Sequence, residues 1–198
     1  MRRWMACLAG VGALLGGACG DVDRTSSGSL DGGTSLDAGR DAASDGASDG
    51  ATPAVCAPTE QLLPITQPAY HQDGKISYPD PPPVGGNHNP NWGTWGVHDA
   101  PLRPECWVHN LEHGGVVYLY HCPDGCPSEV AELASFVTGR KQALLTSYDA
   151  LPTRFAVVAW GARITSDCFD LASLELFYAT HANHGTEQIS SEPSTPCL

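Results

Sequence analysis

Residues 79–104, PDPPPVGGNHNPNWGTWGVHDAPLRP, carry seven prolines and show neither a helical nor an alternating apolar pattern. Such a stretch cannot supply a helix or a central strand. It has to run as a loop over a core built by the residues around it. Irregular segments of this length are uncommon inside compact domains and are usually functional. Trp92 and Trp95 argue that the loop is ordered, because an exposed indole forgoes a large burial gain.

The core must come from the residues C-terminal to this loop. CWVHNLEHGG reads as a short helical turn at 109–113, closed by Gly114 and Gly115. Residues 116–120, VVYLY, are β-branched and aromatic, the composition of a buried strand. Pro127 opens a helix at its first position. Val130, Leu133, Ala134 and Val137 give it a 3.6-residue period, and Gly139 stops it. QALLTSY (142–148) predicts a strand, DALPTR (149–154) a turn, and RFAVVAWG (154–161) a second core strand. Asp170 caps a last helix that faces Leu171, Leu174, Phe177 and Tyr178 inward. The expected fold is α+β or small α/β. It has a mixed sheet of three to five strands, two main helices packed on it and the long Pro/Gly-rich loop.

The fold is confined to one globular domain at 55–198. Residues 1–18 have the layout of a secretion signal, with Arg2 and Arg3 ahead of a small apolar run too short to span a bilayer. The ending LLGGAC resembles a bacterial lipoprotein signal, which implies lipidation of Cys19, although Gly16 stands where that pattern prefers leucine. From residue 19 to residue 54, Asp, Ser, Gly and Ala dominate and aromatics are absent, so this part predicts a disordered, acidic tether. The expected setting is an exported protein, anchored through Cys19 to a bacterial outer membrane or facing the periplasm. Residues 55–198 hold 15 acidic and 6 basic side chains. With no basic patch, nucleic acid is not an expected partner. Six cysteines fall in the domain: Cys56, Cys106, Cys122, Cys126, Cys168 and Cys197. In an exported chain they predict up to three disulfides, whose pairing the sequence leaves open. Cys122 with Cys126 is the easiest local bridge, and Cys56 or Cys197 could staple the ends.

His109 and His113 stand four apart, so on a helix both rings share a face. His88, in the loop segment GGNHNP, is the best third partner, and His98 with Asp99 beside it is a second candidate. Three imidazoles and an open position suit copper or zinc. Glu112 would orient a ring or accept a proton from behind the ligands. The only methionines are Met1 and Met5, so a methionine-rich Cu(I) site is excluded from the domain. H-x-x-E-H also matches the inverted zinc-protease motif, but that motif needs a long helix, and here two glycines follow. Serine hydrolase, kinase and dehydrogenase fingerprints are absent, and no reaction is indicated. The alternative is structural, with the histidines bonded to backbone carbonyls in an envelope domain that binds no metal.

Tyr78, the prolines at 81–83, Gly86, His88, Trp92, Gly96 and the run VHNLEHGGV at 108–116 resemble a bacterial family catalogued as domain of unknown function 3105. The resemblance implies an exported or membrane-anchored protein whose polar positions belong together, and it carries no activity. His98 stands where that family usually has tyrosine, which favours His88, His109 and His113 as the ligands. A second segment, HCPDGCPSEV at 121–130, resembles the C-P-D-x-C-P motif of thioredoxin-fold copper-delivery proteins. That resemblance implies thiol–disulfide exchange or Cu(I) delivery by Cys122 and Cys126, against a plain structural disulfide. Those proteins also use a downstream histidine, whereas His181 and His184 lie on or after the last helix and read as surface residues.

Overall fold

The structure, a computed structural model, describes residues 56–65 and 69–198. The signal segment, the tether and Cys19 lie outside the described residues. In chain order the described elements are β1 (Glu60–Leu62), β2 (Gly96–Val97), α1 (Pro104–Glu112), β3 (Val116–Tyr120), α2 (Pro127–Val137), β4 (Ala143–Ser147), β5 (Phe155–Ala159), β6 (Ala162–Ser166) and α3 (Leu171–His181). They form an α+β domain around one mixed sheet in the order β1-β6-β5-β3-β4-β2. β3 lies at its centre, parallel to β4 and antiparallel to β5.

The apolar runs reflect burial on both faces of this sheet. Val116, Tyr118, Leu145 and Val157 pack under Leu133, Phe136 and Val137 of α2 and Leu174 and Phe177 of α3. Val117, Leu119, Leu144 and Val158 face the opposite way, against Trp107, Val108 and Leu111 of α1. Strands covered on both sides need apolar residues at successive positions, which is why VVYLY and FAVVA do not alternate. The Tyr118 hydroxyl donates to the Leu174 carbonyl at 3.2 Å and so ties α3 to the sheet.

The sheet exceeds the three to five strands expected, with six among the described residues, and a third helix joins the two anticipated. β1 and β2 are edge additions of three and two residues, too short to leave a pattern. β6 returns from β5 through Trp160 and Gly161, with Gly161 at φ +79°. It turns Ala162 and Ile164 inward and leaves Arg163 partly exposed, so only half of it is apolar. α1 is no single turn at 109–113. It starts at Pro104, which tolerates the first helical position, and is buried from Glu105 to Leu111. Asp170 does stand at the start of α3, but its carboxylate takes the Ser173 hydroxyl at 2.6 Å rather than a backbone N–H.

Among the described residues the six cysteines pair as Cys56–Cys168, Cys106–Cys197 and Cys122–Cys126. The first two staple distant parts of the chain and the third is local.

The long loop is ordered against α1. Asn110, fully buried, accepts from the Gly93 N–H and donates to the Gly93 carbonyl, both at 2.9 Å. A side chain at Gly93 would run into Leu102 and crowd Asn110, so glycine lets the loop come this close without displacing either. The Asn89 N–H bonds the Glu105 carbonyl at 2.9 Å, and the Ile76 N–H bonds the buried Glu105 carboxylate at 2.6 Å. Asn110→Ala leaves two buried backbone groups of Gly93 unpaired and is expected to cost about 3 kcal/mol. A urea titration checks this, through a lower midpoint at unchanged slope.

Candidate metal centre

The C-terminal end of α1 carries His109, Glu112 and His113 at i, i+3 and i+4, on one face. Their rings and carboxylate stay inside because the helix stops at once. The Gly114 N–H bonds the Leu111 carbonyl and the Gly115 N–H bonds the Asn110 carbonyl, at 2.9 and 2.8 Å. Gly114 takes φ +81°, and a Cβ on Gly115 would sit 2.6 Å from the Trp95 ring. The chain therefore enters β3 directly after His113. The His109 and His113 Nε2 atoms lie 3.0 Å apart. Trp92 walls this pair, with ring centroids 5.2 Å from His109 and 4.4 Å from His113.

The loop delivers His88 to the same place. Its Nδ1 is 2.8 Å from the Gly86 carbonyl, and His109 Nδ1 is 2.7 Å from the Asn89 carbonyl. A carbonyl only accepts, so both Nδ1 atoms carry the proton. In the neutral rings both Nε2 atoms then carry lone pairs directed inward. A backbone carbonyl on the far nitrogen is also how metal-binding imidazoles are held in orientation. His88 is 1% exposed, and its Nε2 finds no hydrogen-bond partner among the described residues. It lies 2.9 Å from Glu112 Oε2, out of line for a hydrogen bond.

Two further donors had no signature in the sequence. His71 forms a bridge with His88, through Gln72 N–H to the His88 carbonyl at 2.8 Å and His88 N–H to the Tyr70 carbonyl at 3.2 Å. That pairing puts His71 Nε2 3.9 Å from Glu112 Oε2. Glu187 arrives on the segment after α3, which returns over the end of α1. Its backbone N–H bonds the Glu112 carbonyl at 2.9 Å, and its Oε2 lies 3.2 Å from His113 Nε2. Donor atoms of His71, His88, His109 and Glu112 all fall within 4.8 Å of one another, and those of Glu112, His113 and Glu187 do likewise. Two donors about 2.1 Å from one tetrahedral ion stand about 3.4 Å apart, so a metal could be held here.

The structure thus brings His88, His109 and His113 together, with Glu112 among the donor atoms rather than behind them. His98 is elsewhere. Its N–H bonds the Leu145 carbonyl beside β4, and its Nε2 contacts the Thr94 carbonyl at 2.8 Å. Pairing at the sheet edge draws it away from the cluster. Cys122 and Cys126 pack on the α2 side of the sheet, opposite α1. His181 pairs with Glu60 at 2.9 Å.

Burial pushes His109 down to about 3, helped by His113 and His88 beside it and opposed by the Asn89 carbonyl. Burial also lowers His113, against the opposing pull of Glu187 and Glu112. Burial pushes the Glu112 carboxyl up, but the adjacent His88, His109 and His71 outweigh that and hold it below its ordinary value. Neutral His109 and His113 facing an ionised Glu112 at neutral pH are in the protonation state a metal requires. Unfolded histidine titrates near 6.5, so between there and about 3 the unfolded chain binds protons that folded His109 refuses. The stability contributed by His109 and His113 is complete above pH 6.5 and is lost as the pH falls. Glu112 adds to the loss below 4.5. With chelator present, the melting temperature should fall from pH 6.5 downward, and less steeply for His109→Gln.

Neither a curated protein nor a solved structure matches this chain. A family model does, described as protein of unknown function (DUF3105), over residues 70–197. The match takes in every donor of the cluster, from His71 to Glu187. By that match, covering more than half of its length, the chain belongs to the DUF3105 family.

Proposed function

We propose that this is an exported, lipid-anchored domain that binds a transition metal, copper or zinc, at the end of α1. The observation that carries the reading is the His88–Glu112 contact. The buried His88 Nε2 and the Glu112 carboxylate lie 2.9 Å apart with no aligned hydrogen bond between them. A cation coordinated by both would occupy that nitrogen and neutralise the carboxylate. Imidazole donors suit zinc and copper, and the neighbouring carboxylate is compatible with either. Three disulfides among the described residues support an oxidising compartment, in keeping with a signal segment and a lipidated Cys19.

Protein purified with its disulfides intact should retain at least one equivalent of metal by elemental analysis. His88→Ala should weaken binding by more than about 100-fold, the upper end of what loss of an outer partner costs. Adding metal at about 100 times its dissociation constant should stabilise the wild type by about 2.7 kcal/mol. A melting temperature indifferent to both metal and chelator would leave the histidines as a structural hydrogen-bond network.

A second reading, thiol–disulfide exchange or Cu(I) delivery, draws on Cys126 at the start of α2 with Cys122 half-buried beside it. The metal reading expects the Cys122–Cys126 bridge to be structural and to stay closed in a glutathione buffer poised at about −200 mV. Opening of that bridge, followed by thiol labelling, would favour the exchange reading.

A further inference from the structure

Glu112 belongs to both donor groups, and the second group has no place on a single four-coordinate ion. His71, His88, His109 and Glu112 already supply four donors. His113 and Glu187 stand beyond them, again within reach of Glu112. The 3.2 Å between His113 Nε2 and Glu187 Oε2 falls within the roughly 3.0–3.4 Å expected of two donors sharing one ion at about 2.1 Å.

The second group is built by the fold. Glu187 is placed by its own N–H on the Glu112 carbonyl at 2.9 Å, with Asn183 N–H on the Gly114 carbonyl at 2.7 Å and Ile189 N–H on the His113 carbonyl at 3.3 Å. Gly185 makes the approach feasible, since a Cβ there would meet the Glu112 carbonyl oxygen at 2.1 Å. His113 is 1% exposed, and its Nδ1 finds no partner among the described residues. Its directed polar contacts are therefore the Nε2 contacts to His109 and Glu187.

Resting on the metal reading above, we infer that the centre is dinuclear. One divalent transition-metal ion sits among His71, His88 and His109, a second between His113 and Glu187, and the Glu112 carboxylate bridges them. Two-metal sites hold their ions about 3.5–4 Å apart, a span that the two oxygens of one carboxylate bridge. His109 lies at the seam, its Nε2 3.0 Å from His113 Nε2 and 4.0 Å from Glu112 Oε2. The side chains of His71 and Glu187 are each 54% exposed, so one donor of each ion faces solvent.

Those two exposed donors make the test, because substituting them leaves the core intact. Full-length protein with its disulfides closed is titrated with Zn²⁺ by calorimetry, and its metal content is then measured. Two equivalents are expected for the wild type. Glu187→Gln should weaken one of them by about tenfold or more and spare the other, and His71→Ala should weaken only the other. Loaded with Cu²⁺, the wild type should show a spin-coupled pair by electron paramagnetic resonance, and Glu187→Gln an isolated ion. One equivalent that ignores Glu187→Gln overturns the dinuclear centre and leaves a single-ion site standing. Two equivalents indifferent to both substitutions, or uncoupled Cu²⁺ in the wild type, also overturn it. No bound metal overturns the single-ion reading as well.

Discussion

Asn110 grips Gly93 through both of its backbone groups, and the arrangement around the histidines depends on that grip. Ordering a residue's backbone costs roughly 1–2 kcal/mol, so a loop as long as residues 79–104 settles only if many contacts offset the loss. One short helix supplies the contacts that hold it beside the histidines. Asn110 fixes the loop at Gly93, the Glu105 carbonyl fixes it at Asn89, and the Asn89 carbonyl in turn fixes the His109 ring. The helix therefore positions the loop, and the loop sets the tautomer of a helix histidine. VHNLEHGGV reads as one device on these grounds. His109, Glu112 and His113 are the candidate donors, Asn110 is the clamp, Gly114 turns the chain, and Gly115 leaves room for Trp95.

The polar groups do not close into a self-sufficient network. A buried network that needs no ion alternates donors and acceptors until every group is satisfied. The His109–His113 contact fits that description, since one proton between the two Nε2 atoms satisfies it. The His88–Glu112 contact does not, because the buried Nε2 and the carboxylate lie 2.9 Å apart without an aligned hydrogen bond. Leaving a buried group unsatisfied costs about 1–3 kcal/mol. A purely structural site would avoid that cost with an apolar residue at either position.

The parts legible in the sequence are those whose pattern matches their surroundings directly. α2 shows its 3.6-residue period because only one face meets the sheet, and β3 and β5 show unbroken apolar runs because both faces are covered. His88, His109 and His113 could be grouped because two share a helix face and the third sits in the loop that had to fold back. His71 and Glu187 were invisible for the opposite reason. Each is placed by backbone pairing with a distant segment, His71 through His88 and Glu187 through Glu112, and such pairing leaves no mark on the local residue pattern. His98 shared the loop and the chemistry of the clustered histidines, but its backbone is held at the edge of β4. β6 escaped notice because Arg163 interrupts its apolar residues, turning outward to Gln61 and Asp80.

The disulfides bear on the centre through the segment that carries Glu187. Cys106 in α1 is bonded to Cys197, and the Cys197 N–H reaches the Trp92 carbonyl at 2.9 Å. Trp95 adds its indole N–H on the Ser191 carbonyl and its backbone N–H on Glu192. Helix, loop and returning segment are thereby joined in one ring around the donors. A bridge closing a loop of 91 residues removes about 4–5 kcal/mol of freedom from the unfolded chain in the chain-entropy account. Its more local effect is on Glu187, whose side chain is mostly in water and would otherwise stray from His113. Covalent closure at Cys197 and the Glu187 N–H bond to Glu112 hold that carboxylate beside the imidazole. An exposed carboxylate can thus be held beside a buried imidazole, because its backbone is fixed on both sides by the parts of the molecule that carry the rest of the cluster.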